Sequence, residues 1–185
     1  MGKSYKDIQP EHAVFIRKQH LFFVASAPLS EDGRVNLSPK GYDTFRIMSS
    51  TEVAYLDLTG SGNETSAHLM ENGRMTIMFM AFEGGPSILR LYGKGSVALP
   101  GSPEWDRLSP DYPELPGARQ IVTMRVESVS TSCGFSVPYY EYKGERERLI
   151  EWADHMGDDR LRSYRAEKNS ASIDRMPTHL GQARV

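Results

Sequence analysis

The order of apolar and polar residues along the chain predicts a mainly β protein. Short apolar or alternating stretches of strand length recur through the first two thirds of the sequence. They predict strands at residues 21–27, 35–38, 53–58, 74–82, 88–98 and 120–131. The Asp32-Gly33 pair between the first two strands indicates a hairpin, and Pro39 is expected to end the second strand.

Helical patterns lie at the beginning, in the middle and at the end of the chain. Pro10 suits a first helical position, and Asn63 is a favourable N-cap residue. The patterns predict helices at residues 10–19, 64–72, 145–156 and 159–168, with a short one near 104–108. Residues 169–185 show no periodicity and are predicted to form a polar loop.

This order of elements favours a small antiparallel barrel. The helices do not alternate with the strands, which argues against a parallel, doubly wound sheet. Gly93 and Gly95 lie within one long predicted strand and suggest a bulge or bend of the kind that barrels need. We therefore predict one domain over 1–185, with a six-stranded antiparallel barrel core at 10–131 and a C-terminal helical extension at 132–185.

Composition narrows the class of protein. The chain has 185 residues, with 22 Lys and Arg against 24 Asp and Glu, so its net charge of −2 argues against nucleic-acid and anionic-membrane binding. The single cysteine, Cys133, excludes an intrachain disulfide and a multi-cysteine zinc site. No apolar run reaches the roughly 18 residues of a membrane span, so a soluble, cytoplasmic protein is expected. The five histidines show no ligand spacing, and no metal is expected.

One loop carries the strongest sign of chemistry. Residues 59–66 combine two glycines with several hydroxyl side chains and lead directly into a predicted helix. Unpaired N–H groups and the helix dipole favour an anion such as phosphate at such a place. The alternative is a well-capped helix after an ordinary loop. The segment fits neither a dinucleotide fingerprint nor a Walker loop.

Two basic residues are further candidates. Lys40 follows a predicted strand and could pair with phosphate, or it could be a solvated lysine in a turn. Arg90 lies within an apolar run, where its charge needs a partner, either a cross-strand carboxylate or a ligand phosphate.

Four stretches, at residues 35–41, 53–65, 71–75 and 89–95, occur together in an order that resembles a known family. They are similar to the pyridoxamine 5′-phosphate oxidase-like family of FMN-binding split barrels, over roughly residues 10–130. The resemblance implies a split barrel, a homodimer and FMN bound at the subunit interface. It also implies that the strand ending at Lys40 contacts flavin and phosphate, and that the loop at 59–66 contacts the phosphate and the ribityl chain.

Carried over to this sequence, the resemblance gives a set of expected cofactor-binding residues. The closest matches to the family pattern are Lys40, Thr59, Thr65 and Ser66. Side-chain chemistry and position extend the set to Asn36, Ser38, Pro39, Ser61, Gly62, Asn63 and Arg90.

The sequence also departs from the true oxidase. An Arg-Lys pair at the start of the helix is replaced by Thr65-Ser66, and the substrate-binding C-terminal arm has no counterpart. Oxidation of pyridoxamine phosphate is therefore not expected, and no catalytic residue is assigned. The expected function is an FMN-dependent oxidoreductase with a small-molecule substrate. The alternatives are a non-catalytic flavin or haem-type carrier or sensor, with His68 or His179 as the first axial ligands to test, and a deazaflavin-dependent reductase.

Overall fold

The protein is built around one antiparallel sheet. The computed structural model describes residues 2–182. Eight strands pair in the order β3-β2-β6-β7-β8-β5-β4, and β1 joins β8. The strands are β1 (Lys3–Tyr5), β2 (Phe22–Ser26), β3 (Asn36–Lys40), β4 (Phe45–Ser49), β5 (Glu52–Leu58), β6 (Arg74–Met80), β7 (Ile88–Ala98) and β8 (Ala118–Ser132). The prediction of a mainly antiparallel β fold with flanking helices is confirmed.

Within residues 2–182, five α-helices and a short 3-10 helix (Ser109–Asp111) flank the sheet. The α-helices are α1 (Pro10–Arg17), α2 (Glu64–Glu71), α3 (Pro103–Leu108), α4 (Arg148–Lys168) and α5 (His179–Gln182). Helix α4 is interrupted at Gly157, whose φ of 67° and ψ of 167° are not helical. The interruption agrees with the prediction of two successive helices, although the first begins at residue 148 and not at 145.

The apolar core lies on the inner face of the sheet. Along β6, buried and less buried positions alternate, as expected for a strand with one face towards the core. The side chains of Val24, Ile77, Leu91 and Val129 are 0% exposed and come from four neighbouring strands. This apolar layer fixes the register of the sheet, because a slip by one residue would move the apolar side chains of a strand to its opposite face.

The prediction of six strands was wrong by two short strands. Strand β4 lies at the edge of the sheet, and none of its residues is fully buried, so its sequence has no clear alternation. Strand β1 is short and polar, and it adds to β8 through the register Ser4 to Ser130. Both strands are held by backbone hydrogen bonds, and such bonds cannot be recognised from the pattern of apolar residues in the sequence.

The prediction that Pro39 ends its strand was also wrong. Strand β3 continues through Pro39, which pairs with Phe23 of β2, and ends at Lys40. Because β3 is an edge strand, a proline without an N–H group can be accommodated on its open side. The hairpin itself was predicted correctly.

The bulge expected near Gly93 is present. The pairing of β7 with β8 shifts in register between Tyr92 and Gly93. A Cβ atom at Gly93 would lie 2.0 Å from the carbonyl oxygen of Arg125. Glycine is therefore required here by the close approach of two backbones.

The C-terminal segment is more ordered than its sequence suggested. Residues 171 and 177 form an isolated bridge, and the short helix α5 contacts α2. Residues 183–185 of the predicted loop lie outside the described residues. Within residues 2–182, no helix is long and apolar enough to cross a membrane, and no group of three or more potential metal ligands occurs.

Candidate functional site

A cavity of about 820 Å³ opens beside the edge strand β3. Its walls come from β3, the end of β5, the loop that follows it, the first turn of α2 and the segment around residues 168–173. Most of the predicted cofactor-binding residues line it, namely Asn36, Ser38, Pro39, Lys40, Ser61, Gly62, Asn63 and Thr65. The fold thus brings together two stretches of sequence that are some 20 positions apart.

Three predicted residues do not line the cavity. Thr59 and Ser66 are buried next to it, where Thr59 donates to the carbonyl of Gly117 at 2.7 Å. Arg90 lies on β7 and donates to the hydroxyl of Ser132 at 3.3 Å, a partner other than the cross-strand carboxylate considered for it. The structure of this chain does not bring Arg90 to the cavity.

A hydrogen-bonded row of side chains follows one wall. The hydroxyl of Ser38 donates to the side-chain oxygen of Asn36 at 3.0 Å, and the Asn36 amide donates to the hydroxyl of Thr65 at 3.1 Å. This row joins β3 to the first turn of α2. It explains why residues of both segments face the same space.

A buried ion cluster forms the floor of this region. The carboxylate of Asp57, which is 2% exposed, accepts from Lys40 Nζ at 2.6 Å and from Arg119 Nε at 2.9 Å. Gln120 donates to the same carboxylate at 2.8 Å. Burial alone would raise the pKa of Asp57, but the two cations outweigh it and hold the pKa well below its usual range.

The two cations of the cluster differ in what they can offer a ligand. Arg119 also donates to the carbonyl of Gly62 and to the side-chain oxygen of Asn169, both at 2.9 Å. Its side chain is 4% exposed, so it acts as an internal support. The side chain of Lys40 is 23% exposed, and its ammonium has three donors, of which Asp57 takes one. Of the two cations of the cluster, Lys40 is therefore the one available to an anion in the cavity.

The N-terminus of α2 lacks the side-chain cap that the sequence predicted. Asn63 occupies the predicted N-cap position, but its side chain does not cap the helix. It accepts a hydrogen bond from Gln120 at 2.8 Å. The first-turn N–H groups of α2 are thus left without a side-chain cap at the cavity wall.

The C-terminal segment closes one side of the cavity. Lys168, Ser172 and Ile173 line it, and the backbone N–H of Ile173 donates to the carboxylate of Glu64 at 3.0 Å. An ion pair between Arg34 and Asp174 fastens the same segment to the β2–β3 hairpin. Sequence reasoning missed this wall, because residues 169–182 carry no periodic pattern.

Two histidines do not line the cavity: His68 lies on α2, and His179 is the first residue of α5. His68 is 0% exposed, and its Nδ1 atom is 2.9 Å from the hydroxyl of Ser26. His179 Nδ1 is 3.0 Å from the hydroxyl of Ser66. Burial lowers the pKa of both histidines, although nearby carboxylates oppose this at His68 and the Ser66 contact opposes it at His179.

Comparison with known proteins decides the family. The family model described as pyridoxamine 5′-phosphate oxidase matches residues 8–133. The chain belongs to this family. A relative from Aspergillus flavus, named pyridoxamine 5′-phosphate oxidase family protein ustO, is 38% identical, over 86% of this chain and 71% of its own length. The family resemblance stated from the sequence is therefore confirmed.

Solved structures of low sequence identity agree on the fold. HupZ from Group A Streptococcus matches with a TM-score of 0.52 and 20% identity, over 66% of this chain and 91% of that protein. A protein from Lactobacillus delbrueckii, described as a putative pyridoxamine 5′-phosphate oxidase, matches with a TM-score of 0.51 and 14% identity, over 68% and 94%. The fold is the split barrel of this family.

Proposed function

We propose that this protein binds FMN in the cavity beside β3 and uses it as an oxidoreductase acting on a small molecule. The observation that carries the proposal is the meeting of Lys40 with the uncapped first turn of α2 on one cavity wall. A cation and a helix N-terminus together favour a phosphate group. The volume of about 820 Å³ is in the range of small-molecule and cofactor sites.

The residues present fit the parts of FMN. The ammonium of Lys40 and the hydroxyls of Ser61 and Thr65 would hold the phosphate, with backbone N–H groups of the first turn of α2. The open edge of β3 around Ser38 would offer backbone groups to the flavin ring. The flavin, when bound, supplies the redox chemistry, while the protein binds and orients it.

The acidic residues of the cavity wall do not contradict an anionic ligand. Glu64 accepts the N–H of Ile173, and Glu167 pairs with Lys168 at 2.7 Å. The single negative charge of Asp57 is paired with the two positive charges of Lys40 and Arg119. Each carboxylate therefore has a partner within the described residues, and the positive charge lies next to the loop at 59–63.

A haem-binding role receives less support from this cavity. Among the described residues, its lining includes no histidine, cysteine or methionine, and its tyrosine, Tyr42, donates its hydroxyl to the carbonyl of Arg146. His68 and His179, the first ligands to test, contact the hydroxyls of Ser26 and Ser66 and do not line the cavity. A deazaflavin would meet the same phosphate-binding groups as FMN.

The decisive experiment is an absorbance spectrum of the purified protein with mass identification of any released chromophore. The expected result is a flavin spectrum and the mass of FMN, or uptake of added FMN by a colourless protein. A haem Soret band or a deazaflavin mass would show that the cofactor is not FMN. Failure to bind any of the three would contradict the proposal. Reduction of the bound flavin by NAD(P)H would then separate an enzyme from a carrier.

We also infer that the chain works as a homodimer. The arm between β8 and α4 exposes large aromatic side chains, with Phe135 82%, Tyr139 79% and Tyr140 63% exposed. Neighbouring apolar groups of this size mark an association surface on many proteins. Light scattering of the wild type should give the mass of two chains, and Tyr139→Ser should shift the measured mass towards that of one chain.

A cytoplasmic location stays a prediction of the sequence, to be tested by microscopy of a tagged chain.

A further inference from the structure

Asn169 joins three parts of the protein that surround the proposed phosphate end of the cavity. It follows helix α4, is 0% exposed and does not line the cavity itself. Its side-chain amide donates to the carbonyl of Gly60 at 3.0 Å, and its side-chain oxygen accepts from Arg119 at 2.9 Å. Its backbone carbonyl accepts from the hydroxyl of Thr178 at 2.6 Å.

These contacts orient the loop between β5 and α2. Asn169 holds the carbonyl of Gly60, and Arg119 holds the carbonyl of Gly62. In a trans peptide the carbonyl and the following N–H point in opposite directions, and the described residues contain no cis peptide. The N–H groups of Ser61 and Asn63 therefore point away from Asn169 and Arg119, and two carbonyl oxygens are kept from facing an anion.

The neutral amide of Asn169 also preserves the charge of the ion cluster. Lys40 and Arg119 carry two positive charges, and Asp57 supplies one negative charge. Because Asn169 accepts from Arg119 without adding a charge, the cluster stays positive by one unit. An aspartate at this position would cancel that charge a few ångströms from the loop.

We propose that Asn169 is the residue that positions the 59–63 loop for the phosphate of the cofactor. The proposal rests on the proposed function, since it names what holds the phosphate-binding part of that same site. It assigns a role to the C-terminal segment, which lies beyond the residues matched by the family model. Asn169 acts through Gly60 and Arg119 and is a positioning residue.

Comparison of FMN with riboflavin tests the proposal, because riboflavin lacks the phosphate. The dissociation constants of both are measured by flavin fluorescence for the wild type, Asn169→Ala and Asn169→Asp. We expect both variants to bind FMN about tenfold or more weakly, with riboflavin affinity unchanged within about twofold. Asn72→Ala is the matched control, since it removes a side-chain bond to the carbonyl of Ala27 at 2.9 Å, away from the cavity.

Equal losses of FMN and riboflavin affinity would show that Asn169 only supports the fold, and an unchanged FMN constant would show that it does not position the loop. Either result overturns the proposal. Amide hydrogen exchange of the ligand-free protein gives a second readout, with faster exchange at Ser61 and Asn63 expected in Asn169→Ala but not in Asn72→Ala. If the wild type binds neither flavin, the proposed function fails, and unchanged exchange would overturn the positioning role by itself.

Discussion

The ammonium of Lys40 lies 2.6 Å from the carboxylate of Asp57, at the point where the buried ion cluster reaches the cavity. Asp57 is bonded through its other oxygen to Arg119, whose side chain is only 4% exposed and also donates to Gly62 and Asn169. The surplus positive charge of the cluster is therefore accessible to a ligand mainly through Lys40, the more exposed of the two cations. This relationship explains how a lysine can be both paired and available.

Replacing Lys40 should weaken cofactor binding more than it weakens the fold. In Lys40→Ala, Asp57 keeps its contacts with Arg119 and Gln120, so the carboxylate is not left without a partner. Loss of a charged hydrogen bond to phosphate is expected to cost about 1–3 kcal/mol, or roughly five- to 150-fold in the FMN dissociation constant. Fluorescence titration at fixed ionic strength measures this change.

Arg90→Ala is the matched control for Lys40→Ala. The sequence placed both residues at the phosphate, but Arg90 donates to Ser132 on a different part of the sheet. The FMN dissociation constant of Arg90→Ala should stay within about twofold of the wild type, since its group lies outside the cavity of its own chain. A loss as large as that of Lys40→Ala would show that a second subunit brings Arg90 to the site.

Removal of the Asp57 charge should destabilise the protein and change its response to acid. Asp57→Asn leaves Arg119 buried without its carboxylate, which is expected to cost about 3–5 kcal/mol in the free energy of unfolding. The folded-state pKa of Asp57 is lowered, so its stabilising effect is complete above the unfolded value of about 3.9 and is lost progressively as the pH falls from there through the folded-state pKa.

Urea unfolding of Asp57→Asn between pH 6 and pH 3 tests this expectation. The wild type should lose stability on the acid side of about pH 4–5, and the variant should show a shallower loss. Glu104→Gln is a suitable control, because Glu104 pairs with Arg107 on the surface of α3. Identical acid limbs for wild type and Asp57→Asn would contradict the assignment.

Much of the fold follows from local sequence signals, and the exceptions have physical causes. Strands with a buried face, such as β6 and β7, were predicted within a few residues because their apolar positions recur. Strand β4 was missed because an edge strand with half-buried residues has no such pattern. Pro39 was misjudged because its tolerance depends on β3 being at the edge, which is a property of the whole sheet.

The candidate site was predicted only on the side that the family pattern covers. The residues from β3 and the 59–66 loop meet in the cavity, whereas Arg119 and Asn169 were not anticipated. Asp57 and Arg119 carried a signal, since a charge in a buried strand needs an opposite charge. Asn169 carried none, because its role arises from contacts with Gly60 and Arg119, which are 109 and 50 positions away in sequence.

The bulge in β7 provides a prediction about stability. Gly93→Ala would place a Cβ atom 2.0 Å from the carbonyl oxygen of Arg125, which neither backbone can avoid without moving the sheet. We expect a loss of several kcal/mol in the free energy of unfolding, or failure to fold. Gly85→Ala is the control, since its Cβ would meet nothing within 4 Å and should leave the midpoint of thermal unfolding nearly unchanged.

The buried His68 makes stability depend on pH near neutrality. Burial lowers its pKa, which Glu64, Asp174 and Glu71 partly oppose, so its protonated form is disfavoured in the folded state. The unfolded chain, with a histidine pKa of about 6.5, then binds more protons than the folded chain in the window below that value. The free energy of unfolding should consequently fall as the pH is lowered from 7.5 to 5.5.

His68→Asn separates this effect from the rest of the protein. Asparagine can still bond Ser26 but does not titrate, so the variant should lose less stability than the wild type between pH 7.5 and 5.5. Part of the slope that remains is expected to come from His179, whose pKa is also lowered by burial. His155→Asn, at an exposed position of α4, should keep the wild-type slope. Equal slopes for the wild type and His68→Asn in urea unfolding would show that His68 is not the group that senses pH.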